Sequence, residues 1–191
     1  MTEYIEKYFI EEELSYNYKS KKLIKLKGLL VNDKKEGEWI IGEIKKYYNF
    51  LKNLDYGYFY DKVYYVDNKL NGPYIKYNEY SEIIEKGNFK DDLKNGIITN
   101  IDLDCINKTI FKNGIEHGIY ISHEIDTNFI IEYGNFNYGK LNGKYKMYDN
   151  YGNISGIFNY INNKKEGKQI CYFTKENTIY INDKIIRNYM I

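Results

Sequence analysis

The sequence predicts an all-β chain, folded as one elongated, twisted antiparallel sheet of consecutive β-hairpins. Three observations predict it. A polar turn closed by glycine recurs six times, aromatic residues flank that turn at fixed distances, and the composition disfavours helix. Ala is absent, Asn is frequent and Tyr occurs 24 times. Tyr, Phe, Ile and Thr suit a pleated, half-buried surface, whereas long helices need better helix formers.

The repeat is clearest between Gly134 and Gly152, where an aromatic lead-in, the turn Tyr138-Gly139-Lys140-Leu141-Asn142-Gly143 and an aromatic-rich strand follow one another. Anchored on the closing glycine, the copies fall at Gly37, Gly72, Gly96, Gly118, Gly143 and Gly167, at spacings of 35, 24, 22, 25 and 24 residues. A period in the twenties fits one hairpin with its connection and is short for a helical repeat. Asn, Asp and Gly dominate the fourth and fifth positions before each anchor, and they suit tight turns because they bond local backbone and tolerate positive φ.

Seven residues before the anchors stand Leu30, Tyr65, Phe89, Phe111, Phe136 and Tyr160. Two residues after them stand Trp39, Tyr74, Ile98, Tyr120, Tyr145 and Gln169. On either side of a turn, these columns are expected to meet across the hairpin, each aromatic or β-branched pair contributing roughly 0.2–1 kcal/mol. They predict a continuous stacked aromatic stripe. Degenerate copies at 1–22 and 174–191 would close its ends, as an array requires. Tyr180, Asn182 and Asp183 fit the columns with Arg187 in the anchor's place, and Phe9 and Tyr18 fit around Tyr16. The whole chain, 1–191, reads as a single repeat domain.

Taken in order, Met1–Leu14 fits either a short amphipathic helix capped by Thr2 or a degenerate hairpin. Tyr16–Leu30 alternates as a strand, its lysine cluster a solvated face. Between Ile41 and Asp55 the pattern breaks. Ile41, Ile44, Tyr47, Tyr48, Leu51 and Leu54 step by three and four, which fits a short helix near 41–55, an irregular insertion, or an extra pair of strands. Pro73 follows an anchor glycine and is expected at a strand start. Ile154–Phe173 is two residues longer from lead-in glycine to anchor, which fits a bulge or a longer turn.

Composition narrows the function. Net charge is +1, from 28 basic and 27 acidic residues. No strong field favours nucleic acid or an anionic membrane. Arg187 is the only arginine, and arginine is the residue suited to bidentate phosphate and guanine recognition. The first residues, Met1-Thr2-Glu3-Tyr4-Ile5-Glu6, do not read as a signal peptide, and no segment is apolar enough for a membrane span. An intracellular location is expected, with Cys105 and Cys171 as reduced, packed thiols. The abundance of Lys, Asn, Ile and Tyr looks like an A+T-rich genome.

No catalytic constellation stands out. His117 and His123 lack companions for a zinc site. Asp102 and Asp104 alternate onto one strand face near Asp91 and Asp92, where two carboxylates could do glycosidase chemistry but read more simply as solvated acids. Phosphate loops, nucleophile elbows and kinase motifs are missing. No cofactor and no metal are expected. What remains is the aromatic stripe, Trp39, Tyr74, Tyr77, Tyr120, Tyr145 and Tyr148, as core or as a binding face.

Strings such as Asn142-Gly143-Lys144-Tyr145 with Tyr148, Asn71-Gly72-Pro73-Tyr74 with Tyr77, and Glu36-Gly37-Glu38-Trp39 resemble the MORN repeat in its diverged bacterial and giant-virus variant, over about residues 27–173. The lead-in glycine appears as Gly28, Gly87, Gly134 and Gly156 and is replaced by Val63 and Thr109 elsewhere. The resemblance implies an elongated twisted sheet of hairpins that serves as an interaction scaffold. It also brings a proposed phospholipid role, which the neutral charge does not support. The first functional expectation is therefore a non-enzymatic module with a protein partner. The alternative is a carbohydrate- or lipid-headgroup-binding aromatic repeat. A third is an enzyme with the 41–55 insertion over its site.

Overall fold

The structure is a computed structural model describing residues 1–15, 18–48 and 54–190, with side chains for 1–8, 24–44 and 57–190. It is all-β, with no helix among the described residues, and so none long and apolar enough to cross a membrane. The chain divides into two compact units, Met1–Leu93 and Lys94–Ile191. Unit 1 holds β1 (Thr2–Ser15), β2 (Tyr18–Val31), β3 (Lys34–Tyr48), β4 (Leu54–Val66), β5 (Lys69–Tyr77) and β6 (Ile83–Lys90). Each is antiparallel to the next. The two-residue β7 (Leu93–Lys94) falls at the division. Unit 2 holds β8 (Gly96–Ile101), β9 (Cys105–Lys112), β10 (Ile115–Glu124), β11 (Ile130–Asn137), β12 (Lys140–Leu141), β13 (Gly143–Tyr148), β14 (Ile154–Ile161), β15 (Lys164–Lys165), β16 (Gly167–Cys171), β17 (Glu176–Ile181) and β18 (Lys184–Met190). These too pair in antiparallel hairpin order.

The turns fall where the sequence placed them. Asn32-Asp33, Asp67-Asn68 and Asp91-Asp92 in unit 1, and Asn113-Gly114, Tyr138-Gly139, Asn162-Asn163 and Asn182-Asp183 in unit 2, all have φ between 48° and 79°. Positive φ at both central residues is the type I′ turn, whose twist matches the flanking strands. The last of these belongs to the degenerate C-terminal copy. At the other end, β1 and β2 form a long hairpin, so the helical reading of Met1–Leu14 is replaced by its hairpin alternative. Tyr16, at the centre of the suggested N-terminal copy, lies outside the described residues.

The anchor glycine does not close the turn. It makes a bulge farther along the returning strand. Lys27 faces Ile40 and Leu29 faces Glu36, so Gly37, Glu38 and Trp39 stand opposite Gly28 alone. In the same way residues 71–73 stand opposite Tyr64, and 117–119 opposite Ile110. Gly37, Gly72 and Gly118 sit at φ 70°, 131° and 114°, conformations that residues with a Cβ rarely adopt. Pro73 accordingly lies inside β5, in the bulge on the β4 side and opposite Asn88 on the β6 side, and not at the strand start expected from sequence.

The bulges move the ring pairs from within hairpins to between them. Each anchor glycine faces the lead-in aromatic of the next copy: Gly37 faces Tyr65, Gly72 faces Phe89, Gly118 faces Phe136 and Gly143 faces Tyr160. The rings meet accordingly. Trp39 packs on Tyr65 at 6.0 Å and Tyr74 on Phe89 at 4.5 Å in unit 1. In unit 2 Tyr120 packs on Phe136 at 6.1 Å and Tyr145 on Tyr160 at 6.2 Å. Three of the four are edge-on and the Tyr74 pair is tilted, so the expected stacked stripe is instead a series of T-shaped or tilted contacts.

Ile41–Tyr48 and Leu54–Asp55 are strand, which removes the helix there; residues 49–53 of that suggestion lie outside the described residues. In the 154–173 copy the turn is the ordinary Asn162-Asn163 pair, and the bulge between Met147 and Tyr148 has counterparts at Lys76/Tyr77 and Ser122/His123, so neither a longer turn nor an added bulge accounts for the spacing. Phe158, not Gly156, there takes the ladder position that Gly134 holds in the preceding copy.

A second device joins neighbouring copies at their turns. Asn68 donates its backbone N–H to Lys35 O, at 3.1 Å, and its Oδ1 accepts from Lys35 N, at 2.6 Å. Asp92 clips Leu70, Asn163 clips Leu141 and Asp183 clips Lys165 in the same way. Gly114 and Gly139, at the same position, give only the backbone half, to Lys94 O and Glu116 O.

Candidate functional site

Alternation along the strands gives each unit two faces. The first carries the post-bulge column. Trp39, Tyr74 and Ile98 are 0%, 1% and 0% exposed, and Gln169 is buried as well. Trp39 lies flat against Gly28, where an added Cβ would fall 2.2 Å from the indole, and Tyr145 covers Gly134 in the same manner. These glycines are seats for rings. Gln169 fills its place with bonds instead of a ring: its Oε1 accepts from Asn159 N, at 2.7 Å, and its Nε2 donates to Asn159 O and Glu166 O, each at 3.1 Å.

One ladder step farther out, this face turns polar. Tyr74 Oη donates to Glu85 Oε1 at 2.8 Å, and Tyr120 Oη donates to Glu132 Oε2 at 2.9 Å. Burial, reinforced by the carboxylate that accepts its hydrogen bond, pushes Tyr120 up to about 12. The same two causes raise Tyr74 and Tyr145 well above the ordinary tyrosine value. Both carboxylates stand two residues before a lead-in glycine, in Glu85-Lys86-Gly87 and Glu132-Tyr133-Gly134, a signal present in the sequence and not used.

In unit 1 this polar margin opens into a cleft of about 390 Å³ lined by Ile24, Ile41, Gly42, Glu43, Phe59, Tyr60, Asp61, Lys76, Tyr77 and Ile84. The ladder assembles it: Ile24 faces Glu43, which faces Phe59, while Ile41 faces Asp61, which faces Lys76. Lys76 pairs with Glu85 at 3.5 Å. Burial raises Asp61 above the usual carboxylate range, opposed by the charge of Lys76.

The opposite face of unit 1 is a Tyr–Lys surface. Tyr4, Tyr8, Tyr58 and Tyr64 are exposed there. Lys25 bonds Glu6 at 2.7 Å and lies over the Tyr8 ring, and Lys27 lies over Tyr4. Glu6 is held below the usual carboxylate range by Lys25, which is itself raised. Tyr60 stacks on Tyr77 at 4.4 Å and 12°, and on Tyr58 at 5.7 Å and 18°.

The six aromatics singled out from sequence therefore divide. Trp39 and Tyr74 are core, and Tyr120 and Tyr145 are half-buried on the same type of face. Tyr77 and Tyr148, three residues past Tyr74 and Tyr145, point to the other face, half-buried. Asp102 and Asp104 lie in the connection between β8 and β9, not on a strand face; Asp102 accepts from Asn107 Nδ2 at 3.4 Å. His117 lies in β10 with its ring 4.8 Å from Tyr138. Cys105 and Cys171 are free and half-buried, and hydrogen bonds from Thr174 hold Cys171 below the usual thiol value. Among the described residues no three His, Cys, Asp or Glu side chains gather as a metal site.

No protein-family model and no curated protein matches the chain, so the cleft and the Tyr–Lys face of unit 1, built by the hairpin ladder itself, are the features from which its function is read.

Proposed function

We propose that the chain is a MORN-type repeat scaffold that binds a protein partner and catalyses no reaction, within the cell. The observation that carries this reading is the Tyr–Lys face of unit 1. It sets Tyr4, Tyr8, Tyr58 and Tyr64 into solvent beside Lys25, Lys27 and Lys62, on a rigid ladder. Exposed tyrosines give large, rigid, amphipathic contact area at small entropic expense, which suits protein recognition. The glycan alternative is weaker here. Sugar stacking needs a free ring face, and both faces of Tyr60 are covered, by Tyr58 and Tyr77. Nucleic acid and lipid headgroup stay outside the proposal because Arg187 is the only arginine and the net charge is only +1. Free, half-buried thiols fit a reducing compartment.

The test is affinity capture of the tagged chain from its native host, with mass spectrometry. The expected result is one stoichiometric protein, lost when Tyr8, Tyr58 and Tyr64 are changed together to Ser while circular dichroism stays that of the parent. Retention of that protein by the folded triple variant, or co-purification of glycan or lipid alone, overturns the reading. Tyr74 is unsuitable for this test because its ring is core.

A further inference from the structure

The cleft of unit 1 combines three properties. Its walls combine the apolar side chains of Ile24, Ile41, Phe59 and Ile84 with the polar groups of Glu43, Asp61 and Lys76. Its volume, about 390 Å³, is at the small end of ligand pockets, enough for one long side chain and its surroundings. At its polar side stands Asp61, half-buried, with no ion pair to its carboxylate among the described residues. The nearest cation on the ladder, Lys76, is engaged by Glu85, which also accepts from Tyr74.

We propose that this cleft receives a lysine side chain of a protein partner, the ammonium on Asp61 and the methylenes along Ile24, Ile41, Phe59 and Ile84. The inference rests on the protein-binding reading above. A half-desolvated carboxylate favours a cation that arrives with its own apolar stem, because the stem replaces water on the walls while the charge meets the carboxylate. Lysine's compact ammonium on four methylenes suits a cleft at the small end of ligand pockets. Arginine, whose fork could take both oxygens of Asp61, is the competing occupant, and binding of an arginine probe tenfold or more above the lysine probe overturns the choice of lysine. An anion or a neutral apolar group would leave Asp61 desolvated without compensation.

The experiment is an amide NMR titration of the isotope-labelled full chain with four probes: Nα-acetyl-lysine methylamide, its norleucine and arginine analogues, and hexylamine. The lysine probe is expected to move the signals of Ile41, Asp61 and Lys76, and the norleucine analogue to leave them in place. Asp61→Asn should weaken the lysine probe about tenfold, the loss of one charge-assisted bond. Ile84→Lys, at the exposed rim, supplies an ammonium from within the chain and should also abolish binding. Equal shifts with norleucine, or unchanged affinity in Asp61→Asn, overturn the proposal. Hexylamine binding tenfold or more above the lysine probe overturns the protein source in favour of a free amine. A captured partner indifferent to Asp61→Asn and to acetylation of its lysines overturns this inference and leaves the scaffold reading standing. Probe binding at the cleft with no protein partner captured does the reverse.

Discussion

Tyr120 Oη donates to Glu132 Oε2 across the ladder that joins β10 to β11, so a phenol of one hairpin is capped by a carboxylate of the next. The same carboxylate also raises Tyr145, on β13. One acid thus serves two rings of successive copies.

Glu132→Gln should therefore lower the titration of both tyrosines, though not to the ordinary value of 10, because burial is the larger cause in each. Phenolate absorbance during alkaline titration reads this out. The sign for stability follows. A tyrosine raised in the folded state holds its proton more tightly than in the unfolded chain. Its stabilisation is complete below pH 10 and is lost as pH rises through about 12 for Tyr120. Urea midpoints should fall over that window, less steeply in the Gln variant.

Gly28→Ala should destabilise by about 1–3 kcal/mol, because the new methyl overlaps the Trp39 indole and Trp39 is fully buried. Gly37→Ala meets no atom within 4 Å and suffers only from φ 70°, about 1–2 kcal/mol. A double-mutant cycle separates the two. Trp39→Leu should relieve Gly28→Ala and add independently to Gly37→Ala.

Asn163→Ala removes a turn residue at φ 70° and the acceptor for Leu141 N–H, and should cost about 1–2 kcal/mol in urea unfolding. Gly139→Asn is the converse. The site is at φ 73°, nearby atoms leave ordinary contact distance, and the Asn side chain would supply to Glu116 N–H the half of the clip that Gly139 lacks. An increase of roughly 0.5–1 kcal/mol is expected.

Gln169→Leu should destabilise by about 1–3 kcal/mol despite raising hydrophobicity at a buried position. The amide satisfies Asn159 N–H and Glu166 O, which leucine would leave without it, and adds a second bond to Asn159 O, which also accepts from Glu166 N–H. Thermal unfolding of the variant checks it; a rise in Tm would show that the column wants any apolar filler.

What was legible in the sequence was local. Type I′ turns need Asn, Asp or Gly in a left-handed pair, so their places could be read directly from Asn32 to Asp183. The role of the anchor glycine was not legible, because turn and bulge both demand positive φ and only the ladder register tells them apart. The same extra residues carried Trp39 past Leu30 to Tyr65, which no count within one hairpin could reveal. The helical spacing near Ile41 arose because β3 is apolar on both faces: Ile41 faces Asp61 on one, Ile40 and Ile44 face Lys62 and Tyr58 on the other. Of the candidate site, the tyrosines were visible by their number, but their division between faces was not. Asp61 was invisible, since a lone acid in a strand carries no signal until its neighbours Ile41 and Lys76 are known.

The turn clips also bear on how the chain yields to force. Within unit 2 each hairpin is held to the next by backbone bonds that lie across the strands and by a clip at the turn, at Leu141 with Asn163 and at Lys165 with Asp183. A pull directed from strand to strand loads these bonds singly, as a zipper is loaded, with the clip taking the strain first at the turn end. The unit would then peel one hairpin at a time, and Gly114 and Gly139, each holding by half a clip, mark where peeling meets the least resistance.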